Sequence, residues 1–246
     1  MIGLGTLINF LAIIIGAIIG TLLGDRLKKN TRNLVTDALG LVTMLIAGLS
    51  VFDVTKKELT LAVGSGIGVL IILGSLILGG LLGSYFKLEE KFETVGKKLK
   101  KSLRKRLKTE NGNFVEGFVS ASLVFVVGPL AILGSISDGL GKGIEQLALK
   151  SALDFFASIA FAASLGIGVA FSALAVGIYQ GLFTILGFLL GDILTDSQVL
   201  ALTATGGLLL VGVSLRLLKI RQIPVANLLP SLIFAPILVY LIVSIR

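Results

Sequence analysis

Histidine and cysteine are absent from the 246-residue chain. Their absence removes imidazole acid/base chemistry, thiol nucleophiles, disulfides and the usual zinc and iron–sulfur ligand sets. Charge is scarce as well: Asp, Glu, Lys and Arg make up 15% of the residues, against roughly 25% in an ordinary soluble domain. No GxxxxGK[ST] segment occurs, which argues against ATP-driven transport by this chain alone. With no carboxylate pair at a protease spacing either, no enzyme, cofactor or metal site is expected.

What is present is apolar. Hydrophobic residues make up 55% of the chain and the mean hydropathy is +1.02, which excludes a soluble fold. About 20 consecutive apolar residues span a bilayer. The windows 3–23, 33–52, 61–86, 114–136, 151–169, 172–191, 199–217 and 226–244 qualify. No basic residue precedes Arg26 and the first apolar run is too long for a signal-peptide core, so the first helix is expected to be retained. The expected fold class is all-α, a polytopic helical membrane protein of about eight transmembrane segments.

Charge gives an orientation. Arg26, Lys28, Lys29, Arg32, the basic residues from Lys87 to Lys108, and Arg216, Lys219 and Arg221 fall on one side in an eight-helix arrangement, making 17 of the 22 Lys and Arg. Lys56, Lys57, Lys142, Lys150 and Arg246, the other 5, fall on the opposite side. The positive-inside rule then puts both termini outside. Eight full crossings, or six with two short re-entrant segments in the middle, share this parity. The segment 87–112 reads as a basic amphipathic helix and linker, with Leu88, Phe92, Val95, Leu99, Leu103 and Leu107 at steps of three and four. Its apolar face suits the headgroup region while Lys97, Lys98, Lys100, Lys101, Arg104, Lys105 and Arg106 meet anionic lipid. The plainer reading is an interfacial linker. Nucleic acid is not expected, because no aromatic residues interleave the basic ones.

Internal similarity suggests duplication. The run starting at Leu22, LLGDRLKKNTRNLVTDALG, matches LLGDILTDSQVLALTATGG starting at Leu189, and the segment 74–80 resembles 230–236. Two helices between the copies would give the second copy the opposite direction, an inverted three-helix repeat. The expected organisation is a first repeat over 1–86, the linker 87–112, a central pair of broken or short helices over 113–171 and a second repeat over 172–246. Glycine occurs 31 times. Gly16, Gly20 and Gly24 form one ridge, Ser75, Gly79 and Gly83 another, and Gly187 with Gly191 part of a third. Such faces pack helices closely within a bundle or between protomers, and a homodimer is expected.

Polar groups inside the membrane are expensive, roughly 2.5 to 3.5 kcal/mol for a charge at a helix centre. Asp37, Asp154 and Lys150 are such groups, and Lys150 stands four residues before Asp154 on one helical face. Asn9, Gln180 and Asn227 are uncharged additions. Each alone is explained by an interhelical hydrogen bond, and the Lys150–Asp154 pair by fixing helix depth. The segment Gly128 to Ser135 interrupts an apolar helix at Pro129, and Ala163 to Gly168 makes a second interruption. Non-helical backbone at membrane depth survives in protein or beside a polar cavity. The substrate site is therefore expected where Gly128, Pro129 and Ser135 meet Lys150, Asp154, Ser158, Ser164, Gly166 and Gly168, with a Pro kink and a Gly turn as the plainer account. Asn9, Asp37 and Gln180 are secondary.

VVGPLAILGSISDGL at 126–140, followed by Lys150, Leu153-Asp154, Ser158, the segment 163–169 and Gln180-Gly181, resembles the YdfK/YqgA-type family of bacterial integral membrane proteins, as does GTLIN near the N-terminus. The resemblance covers essentially the whole chain. It implies a bacterial inner-membrane location, and it carries over no activity, substrate or functional residue. The residues favour a transporter or channel for a small ion or solute. The alternative is a non-transporting membrane scaffold or regulatory subunit.

Overall fold

The structure, a computed structural model, describes residues 2–103, 114–127, 129–190 and 194–245. These residues are helical, with no strand among them. In chain order the helices are α1 (Leu4–Gly24), α2 (Lys29–Val51), α3 (Lys57–Val63), α4 (Ile67–Tyr85), α5 (Leu88–Leu103), α6 (Phe114–Val126), α7 (Pro129–Gly139), α8 (Glu145–Leu165), α9 (Ser172–Leu190), α10 (Asp196–Leu217), α11 (Val225–Leu228) and α12 (Ser231–Ile245). Seven segments among the described residues are long and apolar enough to cross a membrane, and α6 with α7, bent by 64°, would make an eighth. The bend precedes Pro129, which opens α7 at a position where its missing N–H and fixed φ are tolerated. Of the two central helices only this one is broken, because α8 runs for 21 residues without interruption. The second expected break falls at its end, where Gly166 adopts φ +82° and turns the chain.

The chain divides into two compact units. The first takes Met1–Gly40, Phe92–Val126 and Leu130–Asp192. Its spine is α1 laid along α8, and the two run parallel: Gly5 faces Leu147, Gly16 faces Phe155 and Gly24 faces Ala163. A Cβ on Gly16 would stand 2.5 Å from the Phe155 carbonyl oxygen, and one on Gly20 would strike that of Ile159. The glycine ridge is thus used inside the protomer, and a homodimer would have to form through another face. Helix α9 lies antiparallel to α1, with the Thr6 and Thr184 hydroxyls 3.3 Å apart and Gly177 against the Phe10 ring. Phe92 of α5 stacks on Phe118 of α6 at 6.3 Å, and Gly96 sits on Val115 and Phe118. The apolar face of α5, expected to lie in lipid headgroups, is therefore partly covered by α6.

The second unit takes Leu41–Lys91, Val127–Pro129 and Ile193–Arg246. Here α4 runs antiparallel to α12 and α11, with Gly74 beside Leu238, Gly79 on the Ser231 backbone and Gly83 on the Asn227 carbonyl. A capping box of Thr195 and Gln198 starts α10. The core gathers Leu59, Val63, Ile71, Ala201, Ala235 and Val239.

Large side chains point outward in both units. Leu7, Leu11, Ile15, Ile18 and Leu22 of α1 are exposed, as are Leu70, Leu73, Ile77 and Leu81 of α4. The buried faces of these two helices are mostly small or hydroxylated, with Ile13, Ile71 and Ile72 among them, and Ser75 donates to the Ile71 carbonyl at 2.6 Å as Thr205 of α10 does to that of Ala201 at 2.8 Å. Lipid tails are as apolar as leucine, so leucine gains little by burial there, whereas small residues allow backbones to close together.

Candidate functional site

Helix α8 places Lys150, Asp154 and Ser158 one turn apart on a buried stripe. Lys150 Nζ lies 2.7 Å from Asp154 Oδ2, with both side chains under one-tenth exposed. The same oxygen accepts a hydrogen bond from Asn9 Nδ2 at 3.0 Å. An ionised carboxylate only accepts, so it fixes the Asn9 amide with Nδ2 inward and leaves Oδ1 as the remaining group. Among the described residues Asn9 Oδ1 has no hydrogen-bond partner, and neither has Ser158 Oγ.

Gln180 stands on the buried stripe of α9 formed with Val176 and Thr184. Because Thr6 meets Thr184 and Phe10 meets Gly177, Gln180 lies at the level of Asn9 along the α1–α9 pair. Neither its Oε1 nor its Nε2 has a partner among the described residues, and the residue is 0% exposed. A buried polar group left unmade costs about 1–3 kcal/mol, so a leucine there would be cheaper.

The other expected site residues do not join this group. Ser164 lies ten residues beyond Asp154 on α8, about 15 Å along the axis at the helical rise. There it hydrogen-bonds the Thr36 hydroxyl and donates to the Arg32 carbonyl at 3.0 Å. The Arg32 guanidinium caps α1 by donating twice to the Gly24 carbonyl, at 2.9 and 2.5 Å. Gly166 makes the turn after α8, and Gly168 fits against the Phe114 carbonyl. Ser135 donates back to the Ala131 carbonyl at 2.5 Å, so its hydroxyl is already used. Asp37 is exposed on α2. Gly128 lies outside the described residues, as do Arg104, Lys105 and Arg106 of the basic segment. Lys97 pairs with Glu93 at 3.0 Å, while Lys98 and Lys101 are exposed.

Two carboxylates with structural duties were not singled out from the sequence. The Asp138 carboxylate accepts the Gly3 and Gly5 N–H groups at 3.1 and 3.0 Å, closing the start of α1. In the second unit the Glu89 carboxylate pairs with Arg216 and accepts the Ala226 N–H at 2.8 Å, while Asn227 Oδ1 accepts the Glu89 N–H at 2.9 Å. The available signal was positional: Asp138 stands in the last turn of α7 and Glu89 in the first turn of α5, at the ends of apolar segments where free N–H groups of neighbouring helix starts attract negative charge. No cluster of three acidic side chains able to hold a metal ion occurs among the described residues.

Apolar helices long enough to cross a membrane, leucines exposed along them and a charge pair buried among them define a polytopic helical membrane protein. The chain belongs to the family described as protein of unknown function DUF554, whose profile matches residues 4–240. It is 31% identical over 233 residues to the Escherichia coli (strain K12) protein named Uncharacterized protein YqgA, covering 94% of each chain. It is 29% identical over 238 residues to the Bacillus subtilis (strain 168) Uncharacterized membrane protein YdfK, covering 97% of this chain and 96% of that one. No solved structure matches it.

Proposed function

We propose that the chain is a secondary transporter or channel for a small ion or solute in a bacterial inner membrane, with its site at Asp154, Lys150, Asn9, Ser158 and Gln180. The observation that carries the reading is Gln180, a fully buried amide on α9 with both ends unpartnered among the described residues, at the level of Asn9, which bonds the intramembrane charge pair. Intramembrane ionisable groups mark substrate and ion pathways far more often than they serve stability.

An inverted duplication supports the same reading. The shift that superposes Leu22 on Leu189 brings Lys29, the first residue of α2, onto Asp196, the first of α10. It brings Leu4 and Lys57 to the residues just before α9 and α11. Helices α1, α2, α3 and α4 thereby correspond to α9, α10, α11 and α12. The corresponding helices α1 and α9 are antiparallel in the first unit, and α4 and α12 are antiparallel in the second. Pairs related by a two-fold axis in the membrane plane take this arrangement, on which alternating access is commonly built.

The parallel course of α1 and α8 bears on topology. An odd number of crossings has to separate them; α2 and α4 supply two, so the bent α6–α7 pair is read as the third. Together with the charge bias, this supports a topology with both termini outside. Cysteines introduced one at a time near Lys98 and Ser244, into a chain with none of its own, are expected to label from the cytoplasm and from outside, respectively. Cytoplasmic labelling at position 244 would overturn the eight-crossing arrangement. Lys98 and Lys101 are proposed to meet anionic lipid, and a homodimer is proposed through a face other than the Gly16 ridge.

The functional test is solute uptake or current in proteoliposomes, with Gln180→Leu as the diagnostic variant. It removes two unpartnered groups and is expected to gain about 1–3 kcal/mol of stability while losing transport. A Gln180→Leu protein that keeps wild-type flux would move the site elsewhere, and absence of flux for any solute would favour the scaffold reading.

A further inference from the structure

The chemistry of the unpartnered groups on α1, α8 and α9 narrows the solute. Asn9 Oδ1, which shares its amide with the Asp154 bond, Ser158 Oγ one turn beyond Asp154, and Gln180 Oε1 at the level of Asn9 are buried oxygens without partners among the described residues. Gln180 Nε2 is the one unpartnered nitrogen among them, and the Asn9 amide cannot flip to offer another, since its Nδ2 is held on the carboxylate at 3.0 Å. An anion would meet an oxygen-lined wall beside a carboxylate. A hard cation suits such a set, because oxygen dipoles replace its hydration shell. The charge count points to a single positive charge. The group has one carboxylate, already balanced by one ammonium at 2.7 Å, and no acidic cluster among the described residues stands ready for a divalent ion.

Lys150 sits within the first two turns of α8, which starts at Glu145. Its flexible stem can carry the ammonium toward the helix end, as lysines near membrane boundaries do. We propose that Asp154 binds a monovalent alkali cation in exchange for the Lys150 ammonium, with Asn9 Oδ1, Ser158 Oγ and Gln180 Oε1 completing its oxygen shell. Lys150 is then a built-in competitor: it holds the carboxylate neutralised when no cation is bound and withdraws when one arrives. No proton or electron changes hands in this exchange. The proposal takes its transport step from the reading above, while its binding step stands apart and is tested apart.

The test uses the purified full chain and three salts at equal ionic strength, sodium, potassium and choline chloride. Sodium or potassium is expected to raise Tm over choline, and Asp154→Asn to abolish that difference. Lys150→Gln removes the competitor and is expected to lower the alkali-cation concentration for half-maximal stabilisation about tenfold; a Lys150→Gln protein that folds only in an alkali cation would say the same. Identical Tm in all three salts for wild type and Lys150→Gln overturns the proposal, as does an Asp154→Asn protein with wild-type cation dependence. If either charge variant yields no folded protein in any salt, Ser158→Ala decides. It removes one oxygen ligand, so it is expected to weaken the cation response without lowering Tm in choline, and an unchanged response overturns the proposal. Radiolabelled sodium and rubidium uptake into proteoliposomes separates the two levels. Flux of another solute with no alkali-cation dependence leaves transport standing and the cation site refuted, whereas cation binding without flux of any solute does the reverse.

Discussion

Asp154→Ala is expected to destabilise the folded protein by about 3–5 kcal/mol, the usual loss when one member of a buried ion pair is removed. The mechanism is the stranded partner: Lys150 is 7% exposed and its ammonium would lose the oxygen 2.7 Å away. Asn9 would lose the acceptor for its Nδ2 at the same time. Lys150→Met combined with Asp154→Ala removes both charges and is expected to recover most of the loss, since an apolar replacement of a buried pair is often neutral or stabilising. Equilibrium unfolding in mixed micelles measures both variants against wild type. A single variant as stable as wild type would mean that Lys150 reaches water on its own, and the pair would then be an anchor for helix depth. The double variant also separates stability from function: folded and inactive is the expected result.

Gly20→Leu is expected to exceed the usual overpacking loss of about 1–3 kcal/mol and to yield little monodisperse protein. Its Cβ would strike the Ile159 carbonyl oxygen and the Ile159 Cα, which are backbone atoms and cannot rotate aside. Relief requires α1 to move off α8, which would also draw Asn9 away from Asp154. Gly181→Ala is the matched control, because nothing lies within 4 Å of the added methyl. The helix-propensity difference predicts a gain of up to about 1 kcal/mol there. Size-exclusion profiles and thermal melts compare the two. A well-behaved Gly20→Leu protein would mean that the ridge faces lipid, and the parallel α1–α8 spine would be wrong.

The Lys150–Asp154 pair was legible because helical periodicity is local: two residues four apart share a face whatever the rest of the chain does. Asn9 and Gln180 were visible as polar residues in apolar runs, yet nothing in the sequence joined them to Asp154. Asn9 and Asp154 are 145 positions apart. Ser135, Ser164, Gly166 and Gly168 drew notice for the same reason, and folding disposed of them differently. Ser135 bonds its own helix, Ser164 ties α8 to α2, and the two glycines turn the chain and admit α6. Asp138 and Glu89 escaped attention because their partners are main-chain N–H groups, which every residue but proline carries and no side-chain pattern reveals.

The sequence by itself determined that the chain is a helical membrane protein, where its long apolar helices lie, and which helix faces allow close approach. These follow from the contrast between water and lipid, read one residue at a time along the chain. Only the tertiary structure decided which helix each face meets: the Gly16 ridge lies on α8, the Gly79 ridge on α11 and α12, and the apolar side of α5 on α6. Between helices in lipid no hydrophobic contrast selects a partner. Selection falls to shape and to a few polar bonds, and those exist only once segments far apart in sequence have come together.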